Sequence, residues 1–194
     1  SHTGSPLAVI GSAGTGKSST LIRKVLKLIG DGVDPNSILV LAYGRERASE
    51  IRDEIVLQSG ATAFEPLVRT FHSLAFTIIN QKLNSDDPQY VLISGAEQDA
   101  FIRELLETDA TLRVDNSQII TRAIRRLNKE SALTNKLRNQ FKYILVDEFQ
   151  ESDKSQRELL TQLHTENLTL FIDTASTIGV FRGADPEGAM EYIK

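Results

Sequence analysis

The 194 residues contain no cysteine, and no apolar run comes near the ~18–20 residues that a membrane span needs. Without cysteine, neither a disulfide framework nor a cysteine-based zinc site can form, which fits a reducing cytoplasm. The N-terminus lacks the apolar core of a signal peptide, and Ser1-His2 resembles a tag remnant. Basic residues are not in excess: 22 Lys and Arg stand against 26 Asp and Glu, for a formal net charge of −4. That balance argues against a general nucleic-acid binder with a basic face, yet it leaves room for a local groove. Internal repeats and low-complexity tracts are also missing. What remains is an ordinary globular composition, 40% hydrophobic and 25% charged, in a chain long enough for one large domain or one domain with an insertion. A chain of this size buries roughly 70% of its surface on folding.

The most informative stretch is Gly11-Ser12-Ala13-Gly14-Thr15-Gly16-Lys17-Ser18, followed by Ser19. It matches the phosphate-binding loop G-x-x-x-x-G-K-[ST] in its proper setting. The apolar run Leu7–Ile10 precedes it as a strand, and Ser19 to Ile29 follows with a helical pattern. The glycines let backbone N–H groups turn toward an anion, and the positive end of the helix adds to the attraction. Lys17 then reaches the β- and γ-phosphates, and the Ser18 hydroxyl ligates Mg²⁺. The expected ligand is a nucleoside triphosphate.

Taken in order, the first helix ends near Gly30-Asp31-Gly32, and Ile38–Tyr43 reads as a strand covered on both faces. Arg45–Gln58 reads as an amphipathic helix with Ala48, Ile51, Ile55 and Val56 on one side. Pro66–Thr70 is a short strand and Phe71–Ile79 a helix. From Asn84-Ser85-Asp86-Asp87-Pro88 to about Asn139 the pattern predicts helices only. They include a helix after a capping box at Ser94–Glu97, and one over Asn116–Lys129 with Ile119, Ile120, Ala123, Ile124 and Leu127 as its buried face. Strand character returns at Tyr143–Val146. A helix follows over Lys154–His164, with Ser152 or Asp153 as N-cap, then a strand over Leu168–Asp173 and one short helix after Pro186. Strands alternating with helices imply an α/β fold around a parallel sheet, with residues 80–139 as an all-helical insertion.

In such sheets ligands bind at the carboxyl ends of the strands. Asp147 and Glu148 end an apolar strand there, on the same edge as the phosphate loop. An aspartate suits Mg²⁺, a hard ion that prefers oxygen, and Glu148 is placed to position or deprotonate a water. Mg²⁺-dependent hydrolysis of a nucleoside triphosphate is the reaction class that follows.

The wording of the segments narrows the class further. Asp147-Glu148-Phe149-Gln150-Glu151-Ser152 resembles the D-E-[FY]-Q-D-[ST] motif of superfamily 1 DNA helicases of the UvrD/Rep/PcrA kind. Leu39–Ala48 is similar to their L-A-F-T-N-K-A-A segment, Arg69–Leu74 to T-F-H-S, and Phe181-Arg182-Gly183-Ala184 to [FW]-R-G-A, all in the family's order. Ser94–Asp99 also resembles helicase–nuclease subunits of the AddAB/AdnAB type. The resemblance covers nearly the whole chain and implies a RecA-like motor domain that uses ATP and Mg²⁺. It implies that Gln150 contacts the γ-phosphate or the attacking water. Tyr43, Thr70, Phe71, His72 and Ser73 would lie near a single-stranded DNA track, with Phe181 stacking on a base and Arg182 supplying a cation. The implied partners are single-stranded or partly duplex DNA and, for the helicase–nuclease branch, a second subunit, with no membrane involved. Core packing is the competing reading for Phe71, His72 and Phe181.

Several positions depart from the family pattern. Ser176 stands where the third motif has a glutamine and Gly179 where it has a tyrosine, although Asp173 is retained. That glutamine is expected to link the γ-phosphate to the DNA track. Earlier, Glu46 and Arg47 replace a basic residue and an alanine. A second RecA-like domain, whose arginines complete the ATP site across a cleft, does not follow, so the 194 residues look like the first motor domain of a longer protein. Arg122, Arg125, Arg126 and Lys129 form one helical stripe that either tracks phosphates or is a solvated face. Three readings result: a helicase motor domain; a helicase-like subunit with weak or no ATPase activity that binds ATP or DNA within a complex; and an unrelated phosphate-loop kinase, which the T-F-H-S and D-E-F-Q-E segments argue against.

Overall fold

β-branched and leucine-rich runs with no polar interruption form strands only where both faces are covered, and that is how they are used here. The computed structural model describes residues 6–12, 14–59, 67–82, 90–92, 112–114, 116–163, 167–174 and 184–193. In chain order the elements are β1 (Leu7–Gly11), α1 (Lys17–Gly30), β2 (Ile38–Ala42), α2 (Arg45–Ser59), β3 (Leu67–Thr70) and α3 (Phe71–Asn80). There follow β4 (Tyr90–Leu92), β5 (Leu112–Val114), α4 (Asn116–Lys129) and α5 (Ser131–Gln140). The chain continues with β6 (Tyr143–Val146), α6 (Lys154–Leu163), β7 (Asn167–Asp173) and α7 (Pro186–Tyr192).

Five strands pair in the order β1-β7-β6-β2-β3, and every pair is parallel. β2, wholly buried, sits inside the sheet. Its alternate residues serve two separate cores, as the period of two requires. Ile38 and Val40 pack with Leu145 and Phe171 against Leu21, Ile22 and Val25 of α1 and Ile51 and Ile55 of α2. Leu39 and Leu41 face the other way, with Ile144, Val146, Leu170 and Ile172, toward α3, α4, α5 and α6. The α/β architecture with a parallel sheet flanked by helices is therefore the one the sequence implies.

Two features differ from the expectation. The stretch from Pro88 to Asn139 is not purely helical: β4 and β5 pair in parallel, with Tyr90 opposite Leu112 and Leu92 opposite Val114. Runs of three residues are too short to show a period, so the alternation rule had nothing to act on. The capping box at Ser94–Glu97 and the helix expected after it lie outside the described residues. The later helices also do more than extend an insertion. The Ile119, Ile120, Ala123, Ile124 and Leu127 face of α4 is buried in the same core as β2 and β6, together with Leu133 and Leu137 of α5. Burial of each such side chain is worth about 1.5–3 kcal/mol, so α4 and α5 are part of the sheet's cover. Hydrophobic periodicity identifies a buried face but not the surface that buries it.

Helix starts are set by local hydrogen bonds. Thr70 Oγ1 accepts the Ser73 N–H at 3.1 Å and caps α3. At α6 the N-cap is Asp153 and not Ser152: Asp153 Oδ1 accepts the Gln156 N–H at 2.8 Å, while Gln156 Oε1 accepts the Asp153 N–H at 3.0 Å. This reciprocal pair is a capping box. Ser152 instead donates to the Phe149 carbonyl at 2.7 Å and accepts from Arg157. Arg157 donates to the Ser152 carbonyl at 2.8 Å and to Asp185, which caps α7 through the Gly188 N–H. The Gly188 N–H, then the Arg157 guanidinium, hold the Asp185 carboxyl below the usual range. Replacing Asp153 with alanine is expected to lower unfolding stability by about 1 kcal/mol, read from the urea midpoint; an unchanged midpoint would mean that tertiary packing alone holds the start of α6.

Candidate functional site

Parallel strands end on one edge, and the registers bring the polar strand ends of this sheet together. Gly11, the last residue of β1, pairs with Asp173, the last residue of β7. Val146 of β6 pairs with Leu170 on one side and Leu41 on the other, so Asp147 emerges between β7 and β2.

The phosphate loop joins β1 to α1. Gly14 and Gly16 have φ of 77° and 82°, the left-handed region where a Cβ is disfavoured. No side chain caps α1 and its first turn carries no acidic residue, so the first-turn amides and the helix dipole face the loop without a resident anion. Ser12, Gly14, Thr15 and Ser19 are exposed along this loop and helix start, and Ala13 lies outside the described residues. Thr15 Oγ1 donates to the Ser12 carbonyl at 2.7 Å and closes the turn.

Lys17 is buried beneath the loop. Its Nζ donates to the carbonyls of Gly11 at 3.0 Å and Ser12 at 2.8 Å, and it lies 3.2 Å from Asp173 Oδ2. An ammonium has three donors, and these three acceptors match them.

Asp147 is fully buried, and Arg47 from the third position of α2 meets it. Arg47 Nε donates to Asp147 Oδ2 at 2.8 Å, Nη2 donates to Ser18 Oγ at 2.6 Å, and Nη1 donates to Glu50 Oε2 at 3.0 Å. Burial opposes the charge of Arg47, but Asp147 and Glu50 outweigh it and its pKa is raised. Asp147 Oδ1 is buried with no hydrogen-bond partner. The oxygens expected to hold Mg²⁺, Ser18 Oγ and the Asp147 carboxylate, thus share one neighbour. An orphaned carboxylate oxygen beside a hydroxyl is a donor set that fits a hard cation. Among the described residues no group of three or more His, Asp or Glu forms a metal cage.

Glu148 has φ 48° and ψ 44°, the one non-glycine residue with positive φ among those described. Such a conformation costs of order 1 kcal/mol or more and persists only where neighbours enforce it. Gln150 is one such neighbour: its Nε2 donates to Glu148 Oε2 at 2.5 Å, and its Oε1 accepts the Asp173 N–H at 2.8 Å. Gln150 therefore ties the Glu148 carboxylate to the end of β7.

A cavity of about 230 Å³ opens at the ends of β2 and β3, lined by Tyr43, Thr70, Phe71, His72, Glu151 and Asp153 among others. It unites four of the five residues expected on this side; Ser73 lies next to it, exposed on the first turn of α3. Phe71 is buried in the core and stacks with Tyr43 at 5.1 Å between centroids. The Tyr43 hydroxyl is buried without a hydrogen bond of normal geometry, and burial raises its pKa well above the usual value. Burial also lowers the His72 pKa, keeping the imidazole neutral near pH 7. Phe181, Arg182, Ser176 and Gly179 lie outside the described residues. The basic stripe of α4 is divided. Arg126 pairs with Glu130 at 3.1 Å and donates to the Ile78 and Ile79 carbonyls at the end of α3, whereas Arg125 and Lys129 are exposed.

Comparison with known proteins shows what the chain as a whole is similar to. The family model described as UvrD/REP helicase N-terminal domain matches residues 1–117 and 109–194. A protein of Mycoplasma capricolum named "Probable DNA helicase II homolog" is 25% identical, over 97% of this chain and 35% of its own length. Proteins named ATP-dependent DNA helicase PcrA from Leuconostoc citreum and Staphylococcus aureus are 26% and 20% identical, each over 99% of this chain and 34% of their own length. The chain thus spans about a third of the length of the curated relatives it matches.

Sequence reasoning noted Arg47 as a departure from alanine and assigned it nothing. The available signal was a cation placed just past a strand whose end lies beside the phosphate loop. The Lys17–Asp173 contact was missed too, because it joins residues far apart in the chain. Lys17→Met and Asp173→Asn should each destabilise the fold, and the double variant should lose less than their sum, with a coupling of about 1–3 kcal/mol in urea unfolding. Strict additivity would show that the pair contributes nothing in solution.

Proposed function

The chain belongs to the UvrD/REP helicase N-terminal domain family, and on that premise we propose that it is the ATP-binding motor domain of an ATP-dependent DNA helicase. In this reading it acts in the cytoplasm, in DNA repair or recombination, and moves along single-stranded DNA at the expense of Mg-ATP. The observation that carries the proposal is the convergence of an uncapped helix start, Lys17, Ser18, Asp147, Glu148 and Gln150 on one sheet edge.

Each group has a role that its surroundings support. The loop amides and Lys17 hold the β- and γ-phosphates, Lys17 exchanging protein acceptors for phosphate oxygens of higher charge. Ser18 and Asp147 would hold Mg²⁺, which supplies neutralisation of the charge that develops on the phosphates. Glu148 accepts the proton of the attacking water as that water's oxygen bonds to the γ-phosphorus and the bond from this phosphorus to the β,γ-bridging oxygen breaks, releasing ADP. Gln150 keeps the Glu148 carboxylate in position and links it to Asp173. Held in place before reaction, these groups need no reorganisation during it.

The cavity beside Tyr43 has an aromatic floor and two carboxylates, Glu151 and Asp153, in its wall. Negative charge repels phosphate, so a base with its π-face suits this cavity better than the backbone does. Stacking of that kind is worth ~1–3 kcal/mol per base. Capping boxes and strand ends join this cavity to the nucleotide edge through the short segments Tyr43–Arg47 and Asp147–Asp153, which gives ATP turnover a direct route to the DNA track. A second subunit of a helicase–nuclease complex is a further proposed partner.

A second reading is supported by Ser176 and Gly179, which remove the glutamine and tyrosine of the third motif: a subunit that binds ATP or DNA within a complex with little turnover. ATP hydrolysis by the full-length protein, with and without single-stranded DNA, separates the two. Stimulation by DNA, lost by a factor of at least about 10² in Lys17→Ala, is the expected result. Tight ATP binding without turnover would favour the second reading.

A further inference from the structure

The cluster around Arg47 contains more than the proposed hydrolysis needs. A guanidinium donates to Ser18 Oγ and to Asp147 Oδ2, and so contacts both the hydroxyl and the carboxylate assigned to the divalent cation, while Asp147 Oδ1 has no hydrogen-bond partner. A resident cation there is an electrostatic alternative to a bound one, because two positive charges in contact with one carboxylate repel each other. Mg²⁺ also tolerates no such sharing: it requires near-octahedral oxygen at 2.0–2.1 Å. A fixed positive charge in contact with the same carboxylate would repel it.

Arg47 also has somewhere to go. Its third nitrogen already touches Glu50, which is 63% exposed and lies three residues on along α2, on the same helical face. Arg47 itself is 28% exposed, whereas Asp147 is fully buried. The guanidinium can therefore move outward while keeping a carboxylate partner, and Asp147 cannot follow it. In the observed arrangement Arg47 neutralises Asp147; one in which a divalent cation did so and Arg47 rested on Glu50 would differ from it by one side chain.

Resting on the reading of this edge as a triphosphate site, we propose that Arg47 is a displaceable internal cation. It satisfies Ser18 and Asp147 in the empty site and competes with Mg²⁺ for them, so that nucleotide binding gains less from Mg²⁺ than the same site would with a small side chain at this position. Glu50 is the acceptor that makes the displacement possible. The device keeps the buried carboxylate neutralised between turnovers, and it makes loading of the metal and outward movement of the Arg47 side chain a single event.

The test is the ratio of Kd for a fluorescent non-hydrolysable ATP analogue in EDTA to that in saturating Mg²⁺. Arg47→Ala is expected to enlarge this ratio roughly tenfold relative to the parent protein. Glu50→Gln, which leaves Arg47 without its outer partner, is expected to reduce it by about twofold to threefold. A second readout needs no nucleotide: the melting temperature of Arg47→Ala should rise with added Mg²⁺, which replaces the lost partner of Asp147, while the parent's stays unchanged. If Arg47→Ala fails to fold, the exposed Glu50→Gln variant decides. Equal ratios in all three proteins overturn the Arg47 inference and leave the triphosphate reading standing. Equal analogue affinity in EDTA and Mg²⁺ for both the parent and Arg47→Ala likewise overturns it. Absence of analogue binding in every protein overturns the inference together with the reading on which it rests.

Discussion

Two carboxylates at the ends of adjacent strands lie out of water, and the site depends on how their charge is met. Asp147 follows β6 and is fully buried; Asp173 ends β7 and is nearly so. Burial of an unpaired carboxylate is costly enough that a folded chain must supply a cation or lose the charge. The chain supplies one to each: Arg47 from α2 to Asp147, and Lys17 from α1 to Asp173. Each cation comes from a helix packed on the same face of the sheet, the face that carries Leu21, Val25, Ile51 and Ile55. The apolar layer beneath thus fixes the distances at which the charges meet.

This arrangement explains why the edge is polar without being loose. Lys17 spends its three donors on two loop carbonyls and a carboxylate, and Gln150 bridges Glu148 to the backbone of Asp173. The left-handed turn at Glu148 is held between β6 and the 3-10 turn over Phe149–Glu151, whose Phe149 is buried in the core. Strain at one residue is thereby offset by packing at the next. Ligand charge would enter a site whose own charges are already balanced, so binding is an exchange of partners and not a filling of empty space.

The cavity beside Tyr43 is built differently. It rests on Tyr43 and Phe71, one on each of two adjacent strand ends, and on the capping box that starts α6. Its wall contains Glu151 and Asp153 and, among the described residues, no Lys or Arg. Of the basic residues that sequence alone placed on a single stripe of α4, Arg126 is committed to Glu130 and to the end of α3, while Arg125 and Lys129 are exposed.

The phosphate loop, the parallel order of strand and helix, and the pairing of Asp147 with Glu148 were legible in the sequence. They depend on local patterns: glycine spacing, unbroken apolar runs and the period of an amphipathic helix. β4 and β5 were not legible, since three residues carry no period, and the role of α4 in the main core was hidden because a buried face does not name its partner. Only the tertiary structure decided which cation meets which carboxylate. Arg47 and Asp147 are 100 positions apart, and their contact follows from β2 lying beside β6, a neighbour relation that no local pattern encodes. The sequence by itself determined the chemistry available at the strand ends. The sheet order determined that Ser18, Arg47 and Asp147 would share one point in space, because side-chain hydrogen bonds reach only about 3 Å and only packing brings distant residues that close.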